Sequence, residues 1–202
     1  MKKKIWMLLI LFAFSNISCS VYNALVNLSR LKFKLGTVNG FAIDGIPISN
    51  KLKLSDFTLS EGLKLTSSFA QNKLPVSFTL NVEAQNPNDG TGGNKQSTAT
   101  LKSFPWRLLI NDKETISGNI GTSIVIPGTG QTSIIPLQMN LNLISFFKDK
   151  SYNDLINLIL SLGGKNGSSS KLTLLAQPTV TSQYGDIQYP KELKIVDHQF
   201  TN

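Results

Sequence analysis

The sequence predicts a mainly β protein, with strands at the spacing of a sandwich or barrel and one or two added short helices. Three observations carry this. Long stretches alternate apolar and polar residues with period two, Asn-, Pro- and Gly-rich reversals separate them, and only two segments combine helical periodicity with an N-terminal cap.

The chain starts with an address. Lys2, Lys3 and Lys4 precede ten apolar residues, Ile5 to Phe14, and Ser15–Ser18 leads to Cys19, the only cysteine. A cationic start, a short apolar run and a small residue before the cut describe a secretory signal over residues 1–18. Ten residues rise only about 15 Å as a helix, roughly half a bilayer's hydrocarbon core, which disfavours a membrane span. Cys19 after Ser18 resembles the lipobox of bacterial lipoproteins, in which the thiol is lipidated, the peptide is cut before it, and the new amino terminus is acylated. A lone thiol is awkward in an oxidising exported setting, whereas a lipidated one has a use. Cys19 is therefore the expected lipid attachment site, with palmitate-like acyl chains holding the protein at a membrane.

Residues 19–30 form a lipidated tether. Ten extended residues reach about 35 Å at most, which keeps the body, residues 31–202, close to its bilayer as a single domain. Leu31, Phe33 and Leu35 alternate with Arg30, Lys32 and Lys34 as a first strand. Thr58–Gln71 is a weaker helix candidate, with Thr58 and Glu61 placed as a capping box and Gly62 against it. Val76, Phe78, Leu80, Val82 and Ala84 are separated by Ser77, Thr79, Asn81 and Glu83. A helix would scatter those five side chains; a strand puts them on one face. Their gross burial contributes about 10 kcal/mol before chain entropy is subtracted.

Asn86-Pro87-Asn88 stops that strand, because Pro87 holds Asn86 extended and Asp89-Gly90 favours a reversal. Trp106, Leu108 and Ile110 make a shorter strand, and Ile116–Ile126 reads as one further strand. Ile135, Leu137, Met139, Leu141 and Leu143 repeat the clean alternation. Pro136 cannot donate a ladder hydrogen bond, so this strand is expected at an edge or with Pro136 on its outer side. Ser151 caps a helix over 151–162, with Asp154 near its positive end and Tyr152, Leu155, Ile156, Ile159 and Leu162 in one stripe. Leu172–Val180 and Glu192–Phe200 read as the last strands. Asp89–Gln96 and Gly163–Ser170 are Gly/Ser/Asn-rich loops.

Composition narrows the function. With 202 residues, 41% hydrophobic and 16% charged, the chain has material for one core. One His and one Cys exclude a disulfide framework, a zinc knuckle and most nucleophile–base pairs, so no catalytic residue, metal site or cofactor is expected. The formal charge of +8 falls to +5 once the three lysines of residues 1–18 are removed. Only two arginines, Arg30 and Arg107, are present for bidentate phosphate contacts, and nucleic acid is not an expected partner. Arg30, Lys32, Lys34, Lys51 and Lys53 alternate outward near the anchor. They are candidates for contact with anionic lipid headgroups, set against the plainer and preferred reading of a solvated strand face whose lysines discourage edge pairing.

The middle of the chain resembles the type-2 late embryogenesis abundant family, with its water-stress and hypersensitive-response domain. The residues that carry this are Asn86-Pro87-Asn88 after the alternating strand, the run Phe104–Asn111, Ile116–Gly118, Ile126–Gly130 and Ile135-Pro136-Leu137, together covering about 74–145. The resemblance implies a sandwich of the immunoglobulin or fibronectin type III kind, acting as a binding or stress-protective module without an active site. Asn86, Pro87 and Asn88 carry over as structural turn residues. The expected protein is a lipid-anchored, non-enzymatic component of the cell envelope, at the outer membrane and facing the periplasm or the surface, with an unidentified envelope protein or lipid as partner. The alternative is a module that binds or transfers lipids or apolar ligands in a groove between the sandwich and the 151–162 helix.

Overall fold

The computed structural model describes residues 31–91, 96–163, 172–182, 185–196 and 201. Cys19, Arg30, residues 92–95 of the 89–96 loop and residues 164–170 of the 163–170 loop lie outside them. Among the described residues, twelve strands form three antiparallel sheets of four, a mainly β architecture consistent with a sandwich, with short helices added.

The first sheet runs β2–β1–β3–β8: β1 (Lys32–Ile43), β2 (Ile46–Pro47), β3 (Pro75–Gln85) and β8 (Thr132–Asn142). All five alternating residues of β3 are buried, and they pair in unbroken register with β8, Val76 opposite Leu141 and Val82 opposite Ile135. β8 is the edge of this sheet and Pro136 points outward on it, where the missing N–H costs no ladder bond. β1 is longer than its clean alternation because two bulges, at Leu35/Val38 and Asn39/Ala42, break the register against β3 and shift which residues face inward. Asp44 and Gly45, both at positive φ, turn β1 into β2 as a two-residue hairpin.

The second sheet is β11–β10–β4–β7, from β4 (Ala99–Ser103), β7 (Ile124–Ile126), β10 (Thr179–Ser182) and β11 (Gly185–Gln188). The third is β12–β9–β5–β6, from β5 (Trp106–Ile110), β6 (Lys113–Gly118), β9 (Leu172–Ala176) and β12 (Leu193–Ile195). The single strand expected over 116–126 is thus two strands in different sheets. Asn119 makes the break, its Oδ1 accepting the N–H of Phe104 at 2.7 Å and of Ile120 at 2.8 Å. The run 172–180 is likewise divided between sheets at Gln177-Pro178, where Gln177 N–H turns to Pro105 O. Of the expected run Glu192–Phe200, β12 covers Leu193–Ile195, and residues 197–200 lie outside the described residues.

Both expected helices form: α1 (Leu59–Ala70) and α3 (Tyr152–Leu162), flanking a single turn, α2 (Leu143–Phe146). Thr58 and Ser151 cap reciprocally with Glu61 and Asp154. α3 buries Leu155, Ile156, Leu158, Ile159, Leu160 and Leu162, more than the single stripe read from its sequence. Phe69 meets Tyr152 edge-on at 5.5 Å and joins the two helices.

One continuous apolar cluster runs through all three sheets. Phe33 against Phe104, 5.4 Å between centroids, joins the first sheet to the β4–β5 link, and Phe41 stacks on Phe78 at 4.7 Å. The outer edge of β1 is closed by residues 196 and 201: Leu35 N–H reaches Val196 O, Thr201 N–H donates to Phe33 O, and Phe33 N–H donates to the Thr201 hydroxyl oxygen. Inside the third sheet, the hydroxyl of Thr173 is buried with no hydrogen-bond partner among the described residues. Thr173→Val keeps the shape and the strand preference while removing that desolvated group. It is expected to stabilise by about 1 kcal/mol, raising Tm by about 3 °C in thermal unfolding.

Candidate functional site

The most densely bonded polar cluster is built by the Asn86-Pro87-Asn88 turn. Asn86 is fully buried at the end of β3. Its Nδ2 donates to Ser97 O at 2.8 Å and Ile126 O at 3.1 Å, while its Oδ1 accepts from Asn88 N–H at 3.2 Å and Asn88 Nδ2 at 2.8 Å. Ser97 N–H returns to Asn88 O, and Gly130 N–H reaches Asn86 O. Gln85 and Gln96 bond the carbonyls of Gly130 and Gly128. The turn therefore clasps three segments: the end of β3, the approach to β4, and the Pro127–Gly130 loop after β7. Gly128 lies so close that a Cβ there would sit 2.2 Å from Ser97 O and 2.5 Å from Asn88 O. Both donors of the Asn86 amide and both bonds to its oxygen are spent inside the fold. What the cluster can do is hold, and no polar atom of Asn86 is left for a ligand.

Of the five cations expected to face outward near the anchor, four are described, in two groups. Lys34 pairs with Glu83 at 2.9 Å on the outer face of the first sheet, beside the half-buried Lys32. Lys51 pairs with Glu61 at 2.7 Å, donates to Asp56 O and lies 5.0 Å over the Phe57 ring. Lys53 is exposed, its backbone N–H held by Asp56. Ile48 N–H bonds Phe41 O, which ties the Lys51–Lys53 segment to the far end of β1, seven residues or roughly 20 Å of strand from Lys34.

Further charges are spent in surface networks. Arg107 forks onto both oxygens of Glu192, at 3.1 and 2.7 Å, and also contacts Glu114. Lys102 holds Asp186, which also accepts from Thr181 at 2.8 Å. Hydrogen bonds from Lys51 to Glu61, Ser151 to Asp154, Thr91 to Asp89 and Lys102 to Asp186 each hold the carboxyl below its ordinary range. A depressed folded-state value makes a contribution present above the unfolded value and lost as pH falls through the folded one. Tm is expected to hold between pH 7 and 5.5 and to fall progressively below about pH 4.5, with the fall reduced in Glu61→Gln.

Two large apolar side chains stand out of α1 one turn apart, Leu59 at 82% and Leu63 at 64% exposure. Among the described residues no group of three His, Cys, Asp or Glu is placed to hold a metal ion, and no helix is long and apolar enough to cross a membrane.

No family model matches the chain, and no curated protein does. Among solved structures, a crystal structure of a protein from Archaeoglobus fulgidus is similar at 10% identity and TM-score 0.34, covering 82% of this chain and 99% of that one. A solution structure of a provisionally assigned late embryogenesis abundant (LEA) protein is similar at 13% identity and TM-score 0.38, covering 89% of this chain and 85% of the other.

Proposed function

We propose that this chain is a lipid-anchored, non-enzymatic protein of the cell envelope, whose β-sandwich acts by non-covalent contact as a binding or stress-protective module of the late-embryogenesis-abundant kind. The observation that carries the reading is Cys19, the only cysteine, placed directly after the small Ser18 that follows a cationic start and a ten-residue apolar run. A diacylated cysteine anchors durably, since each buried CH₂ contributes about 0.8 kcal/mol. Leu31, the buried residue that leads into β1, is the twelfth residue after Cys19, so the body stays within about 40 Å of the bilayer.

The module reading draws support from how the polar residues are used. Asn86 is committed to the clasp, and Arg107, Lys34 and Lys51 are committed to ion pairs on the surface. Such an arrangement stiffens a scaffold and leaves sheet faces and strand edges as the surfaces for contact. The partner in this reading is an envelope protein or lipid.

The test is fractionation of cells expressing the full chain. Wild-type protein is expected in the membrane pellet with incorporated radiolabelled palmitate, and Cys19→Ala is expected to lose the label and move to the soluble fraction. Unchanged membrane partitioning of Cys19→Ala would remove the anchor.

A further inference from the structure

The two longer helices use their apolar residues differently. α3 buries six of them, whereas α1 fully encloses only Leu65 and leaves Leu59 82% and Leu63 64% exposed. Leu59, Leu63, Thr66 and Ala70 follow one another at helical spacing, so they share one face, and all four are exposed. That face carries no charge. The helix has one acid, Glu61, which is turned to Lys51 at 2.7 Å, and one cation, Lys64, which stays exposed on the flank next to Leu63.

The acids of this region are withdrawn and the cations are not. The Asp44 carboxylate accepts from Ser68 at 2.8 Å and lies 3.8 Å from Lys64. Asp56 accepts the N–H groups of Leu52 and Lys53, and Glu61 is held by Lys51. All three acids are half-buried in these contacts, while Lys53 before the helix, Lys64 on it and Lys73 after it remain exposed. An uncharged apolar stripe flanked by exposed ammonium groups suits the headgroup layer of an anionic bilayer.

We propose that this face of α1 docks on the anionic lipid surface to which the chain is anchored. Leu59 and Leu63 enter the acyl boundary, and Lys64 and the lysines that precede and follow the helix meet headgroup phosphates. The inference rests on the anchored reading, and the tether is long enough for it. Lys64 and Ser68 bond to Asp44, which holds α1 at the opposite end of β1 from Leu31. β1 rises roughly 35 Å over that length, less at its bulges, and the chain after Cys19 reaches about 40 Å. α1 therefore reaches the bilayer whether β1 stands upright or lies flat. Held that close, a contact too weak to form from free solution becomes populated, because the anchor makes it intramolecular.

The test supplies the anchor chemically, which separates this inference from the fate of Cys19 in cells. Full-length Trp6→Phe protein is coupled through Cys19, its only thiol, to a trace of maleimide-headgroup lipid in vesicles. The vesicles are phosphatidylcholine with or without phosphatidylglycerol, and bromines on the acyl chains quench any indole that enters the bilayer. Leu63→Trp is the reporter, and the same protein without it sets the background from the buried Trp106. About half of the emission added by Leu63→Trp is expected to be quenched with phosphatidylglycerol present, and roughly threefold less in phosphatidylcholine alone. Adding Leu59→Asp, at a site open to solvent, is expected to return quenching to background with Tm unchanged. Quenching no greater than background, quenching indifferent to phosphatidylglycerol, or quenching that survives Leu59→Asp would overturn the inference.

Discussion

Asn86→Ala is expected to lower stability by about 4 kcal/mol, which is about 12 °C in Tm for a body of this size. The size follows from what is left behind. The carbonyls of Ser97 and Ile126 each lose their bond to the Asn86 amide, and the Asn88 N–H loses its acceptor, all of them enclosed by the clasp. A buried polar group stripped of its partner costs about 1–3 kcal/mol, far more than the net worth of the bond that satisfied it. Asn86→Asp is the sharper variant, since it is nearly isosteric and keeps the acceptor for Asn88. It turns a carboxylate oxygen toward two carbonyls, so it is expected to be at least as damaging as alanine. Thermal unfolding followed by circular dichroism reads both. A loss below about 1 kcal/mol would show that the turn does not hold the three segments together.

Gly128→Ala approaches the same clasp from the opposite side, with an expected cost of about 3 kcal/mol. The added Cβ would lie 2.2 Å from Ser97 O and 2.5 Å from Asn88 O. Both are backbone atoms, so relief requires separating the segments that Asn86 ties, and the bond from Asn86 Nδ2 to Ser97 O opens with them. The two substitutions therefore remove overlapping interactions. Their double variant is expected to be less destabilised than the sum of the singles, with a coupling of about 1–2 kcal/mol. Gly121→Ala is the matched control: its Cβ meets open space, and its effect is expected within about 0.5 kcal/mol.

What could be read from the chain in advance follows from how local each determinant is. β3 and β8 are regular over eleven residues each, pair without a register break and have one face in the core, so their period-two pattern maps directly onto burial. Pro136 marked its strand as an edge for a reason confined to one residue, its missing N–H. The two helices were legible from their caps, Thr58 with Glu61 and Ser151 with Asp154, because a capping box is a contact between residues three apart.

The reading stopped where bulges or long-range contacts decide the outcome. β1 looked like a short strand because its alternation fails beyond Leu35, and it fails because of two bulges against a partner forty residues away. The Asp44-Gly45 hairpin had a usable signal, an Asp-Gly pair between Phe41/Ile43 and Ile46/Ile48. The division of 116–126 did not, since it depends on Asn119 bonding back to Phe104. The same limit applied to the sites. Asn86, Pro87 and Asn88 were visible as a turn, but the four-bond role of Asn86 needs Ser97 and Ile126 in place. The lysines could be read as outward-facing, but the pairing of Lys34 and Lys51 with Glu83 and Glu61 from other elements could not.

Intact-protein mass spectrometry of the full-length gene product, extracted with detergent from its native membranes, tests the central claim most directly. The account predicts a mature chain that starts at Cys19 and carries the added mass of a diacylglyceryl group with a further acyl chain on its amino terminus. A chain that still starts at Met1, or one whose Cys19 is an unmodified thiol, would contradict it.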